Sequence, residues 1–245
     1  MEGHRVASFH LVRERPGRAV AALTRLGTDR LRLARGGPVF WRLLGTGRGS
    51  DTGVGVDPRR TALFALWDDD AALDTFLARS PIARRWRDAD ETYTVRLRRL
   101  GGHGTWRGVS VLAGMAGGAD AGAGAGGDAD AGAEPGPVAV LTRATVRLRH
   151  WPAFVGAGRR VSAEVAAAPG LLAVVGIGEA PVGRQATFSL WRSTADAHAF
   201  AYGRPDHLDA VRRTRAEGWY GEQLFARFQP YGSAGTWDGR DPLAG

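Results

Sequence analysis

Cysteine and lysine are both absent from this 245-residue sequence, and methionine occurs only twice. Without cysteine there is no disulfide, no thiolate metal site and no thiol nucleophile, so any metal must be held by histidine or carboxylate. Without lysine, the formal charge of +8 rests on arginine alone, which reads as compositional bias rather than a nucleic-acid-binding face. No stretch approaches the roughly 20 apolar residues that a membrane span needs. The chain opens on no charged-then-apolar signal pattern, so a cytoplasmic location is expected. G-x-S-x-G elbows, H-E-x-x-H helices and P-loops are missing too, which leaves hydrolase and nucleoside-triphosphatase readings without local support.

What is present is a globular composition, 44% apolar, enough for one large core or two modest ones. The positive excess has an address: residues 1–112 carry 20 arginines against 12 acids, and the remainder is balanced at 13 and 13. Arg84-Arg85-Trp86-Arg87 and Arg96-Leu97-Arg98-Arg99 set arginine beside aromatic or apolar residues, but no zinc finger, ribonucleoprotein motif or helix-turn-helix spacing accompanies them. Solvated faces of a helix and a strand account for them, and no nucleic-acid partner is expected.

Residues 113–135 are almost wholly Gly, Ala and Asp, with too little side chain to offset the entropy of ordering, and read as a disordered linker. It separates an N-terminal half, residues 1–112, from a C-terminal half, residues 136–245. The halves repeat each other. Phe64-Ala65-Leu66-Trp67 answers Phe188-Ser189-Leu190-Trp191, Gly37 to Gly47 answers Ala168 to Gly178, and Gly104-Thr105-Trp106-Arg107-Gly108 answers Gly235-Thr236-Trp237-Asp238-Gly239. Three matches in the same order signal duplication.

Periodicity gives both halves one element order. The first reads as strand 6–11, helix 18–35, strands 39–44 and 60–67, helices 69–78 and 82–87, and strand 92–100. The second reads as strand 138–146, helix 151–167, strands 171–175 and 184–191, helices within 194–219, and strand 223–228. A single βαββαβ unit leaves one apolar sheet face bare, and a duplicated unit can cover it with its twin. The fold expected is therefore α+β: two ferredoxin-like halves forming a barrel within one chain, with a ligand cavity between the sheets.

Gly45-Thr46-Gly47 and Gly176-Ile177-Gly178 suggest phosphate loops, but a strand follows each where a dinucleotide site needs a helix. They read as hairpin turns whose glycines supply positive φ. Of six histidines, His4 and His103 fall in a tail and a Gly-rich turn, and His10 and His150 default to capping or surface roles. His198 and His207 match no chelating pair. His207 is singled out because Asp206 can cap a helix starting there, and a helix N-terminus keeps imidazole neutral and able to ligate iron. On position alone it still reads as a partly exposed helix-start histidine. Arg143, Arg212 and Arg215 belong to a set of second-half cations able to clamp carboxylates.

Leu141-Thr142-Arg143-Ala144-Thr145, Gly176-Ile177-Gly178-Glu179-Ala180-Pro181, Gln185-Ala186-Thr187-Phe188-Ser189-Leu190-Trp191 and Trp219-Tyr220, taken in order, resemble the spheroidene monooxygenase family of bacterial carotenoid biosynthesis. The resemblance runs through both halves and is densest from Val138 to Leu243. It implies a haem-containing monooxygenase that uses O2 and a reduced ferredoxin-type electron donor to turn a methylene of a small apolar substrate, an acyclic carotenoid, into a ketone. Peripheral contact with a membrane for substrate access belongs to that expectation. The resemblance also implies that His207, on a helix of the second half, is the proximal iron ligand, with Arg143, Arg212 and Arg215 near the haem propionates. The long linker and the arginine-rich first half depart from the family's compact pattern. A non-catalytic protein that binds haem or an apolar ligand is the alternative.

Overall fold

The computed structural model describes residues 5–47, 55–115, 136–180, 182–203 and 205–244. Most of the segment read as a linker lies outside these residues. The first half runs β1 (Val6–Arg13), α1 (Ala19–Ala34), β2 (Phe40–Gly47), β3 (Val56–Trp67), α2 (Asp70–Arg79), α3 (Pro81–Trp86) and β4 (Glu91–Gly104). The second runs β5 (Val138–Val146), a 3-10 turn (Leu148–His150), α4 (Trp151–Ala166), β6 (Leu171–Gly178), β7 (Arg184–Trp191), α5 (Thr194–Gly203), α6 (Pro205–Glu217) and β8 (Tyr220–Gly235). The element order is the one periodicity predicts. The helix predicted to start at His207 instead starts at Pro205, whose missing N–H is harmless in a first turn.

All strands join one closed antiparallel barrel in the order β1-β3-β2-β6-β7-β5-β8-β4. Each half contributes four neighbouring strands, and the seams are β2 with β6 and β4 with β8. The glycine elements read as hairpin turns sit at the first seam, where Gly45 pairs with Gly178 and Thr46 with Ile177. That reading is corrected: neither Gly45 nor Gly178 has a positive φ, and the turn glycine between β6 and β7 is Gly183.

Alternation along each strand sends one set of side chains inward. Phe9, Leu11, Phe64, Leu97, Leu141, Ile177, Phe188 and Phe228 are among those that meet in the barrel as a single apolar cluster. Phe9 and Phe188, one from each half, stack with ring centroids 3.9 Å apart. The repeated Gly-Thr-Trp segments complete the filling. After β4 and β8 the chain turns at Gly104 and Gly235, with φ of 95° and 86°, where a Cβ would strike the backbone of the facing strand. Trp106 then packs on Phe40 and Phe64, and Trp237 on Tyr93, Phe9 and Phe188. Met115, assigned to the linker by composition, is also buried in this cluster. The expected cavity between the sheets is thus occupied by side chains, as the width of an eight-stranded barrel allows.

Each tryptophan segment is latched by a glutamate of the opposite half. Glu222 of β8 accepts from Thr105 Oγ1 at 2.8 Å and the Gly108 N–H at 2.7 Å. Glu91 of β4 accepts from Thr236 Oγ1 at 3.2 Å and the Gly239 N–H at 2.7 Å. The exchange makes each half close the other. Burial works against the Glu222 carboxylate, but the Gly108 N–H, Thr105, Arg143 and Arg107 outweigh it and hold its pKa at about 2, below the ordinary 4.5.

A carboxyl depressed in the fold stabilises it above its unfolded pKa and ceases to do so as pH falls through the folded one. Glu222→Gln should therefore lose about 3 kcal/mol at pH 7, with the gap to wild type closing between pH 4.5 and 2. Urea melts across that range check this, and a gap that does not depend on pH would contradict it.

Candidate functional site on the outer face of the second half

With the interior filled, binding space must lie between sheet and helices. The two halves differ there. Val6 pairs with Trp67 as Val138 pairs with Trp191, which sets the halves in register. In the first half the row crossing the centre of the outer face is Leu43, Leu63, His10, Thr94 and Ala234. In the second it is Gly176, Thr187, Thr142, Phe225 and His103. Glycine and threonine thus stand where the first half has leucines, and a second threonine where it has histidine.

Helices cover most of the first-half row, with a cavity between sheet and helices lined by Asp29, Leu43, Leu63, Ile82, Arg85 and Trp86. Leu43 and Leu63 pack in one cluster with Leu33 of α1, Phe76 of α2 and Ile82 of α3. His10 is fully buried beneath Phe76 and Trp86, with centroid distances of 6.2 and 5.0 Å. Its Nε2 lies 2.8 Å from Ser8 Oγ and its Nδ1 2.9 Å from Thr94 Oγ1, while Trp67 Nε1 donates to the same Ser8 hydroxyl. Burial, reinforced by Arg96, pushes its pKa down to about 3, so the ring is neutral. The surface role expected for His10 is corrected: it is a hydrogen-bonded core residue with no free ring nitrogen.

The second-half row is less covered, although Gly176 is buried. Thr142 is exposed, and Thr187, Phe225 and His103 are half-buried. The helices roof its ends. Phe200 of α5 meets Trp191, and Val161 and Val165 of α4 reach Val138 and Leu171 at one end. At the other, Phe154 of α4 meets Tyr220 edge-on. Between them α6 packs on α4 and α5, and Thr214 of α6 hydrogen-bonds Tyr220 of β8, so the centre of this sheet face is covered less completely than its ends.

Histidines and arginines fall unevenly about this face. His103, read as a solvated turn residue, belongs to β4, which runs past the seam so that His103 pairs with Phe225 and packs on its ring. Only the inter-half register reveals this. His198 is exposed against Tyr202, and His150 lies beside Trp219. His207 sits in the first turn of α6, and its side chain and that of Arg215 lie outside the described residues. Arg212 is exposed on α6. Arg143 is a correction: its buried guanidinium is on the interior side, bonded to Glu222 and 3.4 Å from Glu179, and faces Trp106. It is neutralised there and cannot clamp a ligand on the outer face.

No family model matches the chain. It is 35% identical over 213 residues to the spheroidene monooxygenase of Rhodobacter capsulatus, covering 84% of this chain and 80% of that protein. The one from Rubrivivax gelatinosus is also 35% identical, over 85% of this chain and 75% of its own length. The chain belongs to the spheroidene monooxygenase family. It is a monooxygenase. The Cereibacter sphaeroides member is 32% identical, and the chain spans 59% of its length. Among solved structures, aldoxime dehydratase superposes with a TM-score of 0.58 at 14% identity, over 92% of this chain and 81% of that one. A complex of aldoxime dehydratase with butyraldoxime gives 0.61 at 13%, over 94% and 80%. At such identity the likeness is one of fold alone.

Thr187→Leu restores the residue that fills the same place in the first half. The variant should fold with stability within about 1 kcal/mol of wild type while losing monooxygenase turnover at least tenfold. Denaturant melts and turnover check this, and full activity in a correctly folded variant would move the site elsewhere.

Proposed function

We propose that this member of the family is haem-dependent and oxidises an acyclic carotenoid, or a similar apolar metabolite, at a methylene carbon. Two successive hydroxylations there, followed by loss of water, yield the ketone. O2 and a reduced ferredoxin-type donor are its co-substrates. The observation that supports the reading is the less covered outer face of the second half, where Thr142 is exposed and Thr187, Phe225 and His103 are half-buried.

The residues present suit a flat macrocycle. One wall would be the sheet face with Gly176, Thr187 and Thr142 at its centre and Phe225 beside them, and the other the helices α4, α5 and α6 that cover this face. Among the described residues no three histidines or carboxylates cluster as a metal cage. His207, near the N-terminus of α6, is the residue that would hold the haem iron. Arg212 and Arg215 on the same helix would hold the propionates. Haem, when bound, supplies the activation of O2.

The remaining work falls to the chain. The apolar part of this face excludes water and aligns an extended hydrocarbon. Thr142 and His103, in one row on either side of Phe225, are placed to hold hydrogen bonds to an oxygen on this face, and His103 can carry a proton between them.

His207→Ala should yield folded protein with haem content reduced at least tenfold and the Soret band lost, while His198→Ala should keep both. Unchanged haem content in His207→Ala would refute the ligand. With haem-loaded protein, a reduced ferredoxin system and 18O2, the carotenoid ketone should carry the label when exchange with water is controlled, and unlabelled product would refute oxygenation from O2.

A further inference from the structure

We propose that the end of the second half around Leu148 docks on the anionic surface of a lipid bilayer. Leu148 is 73% exposed, the most exposed large apolar side chain among the described residues. It is not isolated. Its Cδ2 lies 3.8 Å from where a Cβ on Gly183 would stand, and Val182, exposed at 45%, is the residue before Gly183. Arg147 and Arg149 flank Leu148, and Arg184 follows Gly183, all three exposed. Two backbone segments remote in sequence therefore present one pattern, an apolar tip ringed by arginine: Arg147-Leu148-Arg149 and Val182-Gly183-Arg184.

The fold holds this surface rigidly. The Val146 N–H donates to the Gly183 carbonyl at 2.7 Å, the Arg147 N–H to the Trp219 carbonyl at 2.8 Å, and Arg147 Nη1 to the Gly218 carbonyl at 3.0 Å. Thr145 pairs with Arg184 across the barrel wall. Glu217, at the nearby end of α6, is already engaged by Arg213 and by the Trp219 indole, so it does not neutralise the ring of cations. Burying polar backbone is unnecessary here, since those groups are bonded within the fold.

Apolar tips with surrounding arginines suit the boundary between acyl chains and anionic headgroups. Leucine and valine enter the first, and guanidinium groups meet the second. A nucleic acid or an acidic protein would use the cations and leave Leu148 without a partner, so the lipid surface is the better fit. The patch lies at the end of β5, about 13 Å along the strand from Thr142, on the same half as the candidate site. Its use in delivering a hydrocarbon from the bilayer rests on the proposed function, but the docking itself does not.

The test is sedimentation of the full chain with vesicles, which requires neither haem nor turnover. Wild type should sediment with phosphatidylserine–phosphatidylcholine vesicles and stay in solution with phosphatidylcholine alone. Leu148→Gln should weaken binding roughly tenfold and Arg184→Gln about fivefold. Arg30→Gln, an exposed arginine on α1 of the first half, should leave it unchanged. Each variant is checked for native circular dichroism, which substitution at such exposed positions should preserve. The proposal is overturned if wild type ignores anionic vesicles, if Leu148→Gln binds as well as wild type, or if Arg30→Gln weakens binding as much as Arg184→Gln, since bulk charge would then suffice.

Discussion

The structure depends on what fills the barrel. Eight strands enclose a space that side chains can just occupy, and here two tryptophans delivered by the repeated Gly-Thr-Trp segments complete the occupancy. The consequence is functional as well as structural. A closed and filled interior leaves no room for a hydrocarbon or a macrocycle, so the chemistry has to be carried on the outer faces, where helices can stand away from the sheet. The latches by Glu91 and Glu222 make this filling reciprocal, and they bind two ferredoxin-like units into one cooperative body.

Duplication supplies two such outer faces, and the chain treats them differently. In the first half, Leu43, Leu63 and His10 occupy the centre of the sheet, and α1, α2 and α3 press onto them. In the second, Gly176, Thr187 and Thr142 stand at that centre, which is covered less completely, with Thr142 exposed and α6 packed on α4 and α5. In the first face His10 is neutral and hydrogen-bonded at both ring nitrogens.

Much of this architecture is legible in the sequence because its signals are local. The period of apolar residues marks the helices and strands, and matched strings such as Phe64-Ala65-Leu66-Trp67 and Phe188-Ser189-Leu190-Trp191 mark the repeat. What fails to show is whatever depends on register between distant strands. His103 reads as a turn residue because glycines flank it, yet those glycines permit the close approach of β4 to β8 that carries His103 onto the site. Arg143 reads as a free cation because its partners, Glu179 and Glu222, come from other strands. His10 reads as a surface residue because Ser8 alone is near in sequence, while Thr94, Phe76 and Trp86 are not. The contrast between Thr187 and Leu63 becomes meaningful only once the two halves are superimposed strand by strand.

The central claim is that the working site is the outer face of the second half. Amide hydrogen exchange with and without added haemin tests it most directly, because the filled barrel, the first face and the second face involve different peptides. The account predicts new protection in peptides that contain Thr142, Thr187 and α6, with α1 to α3 and the segments around Trp106 and Trp237 unchanged. Protection confined to the first-half helices or to the two tryptophan segments would contradict it.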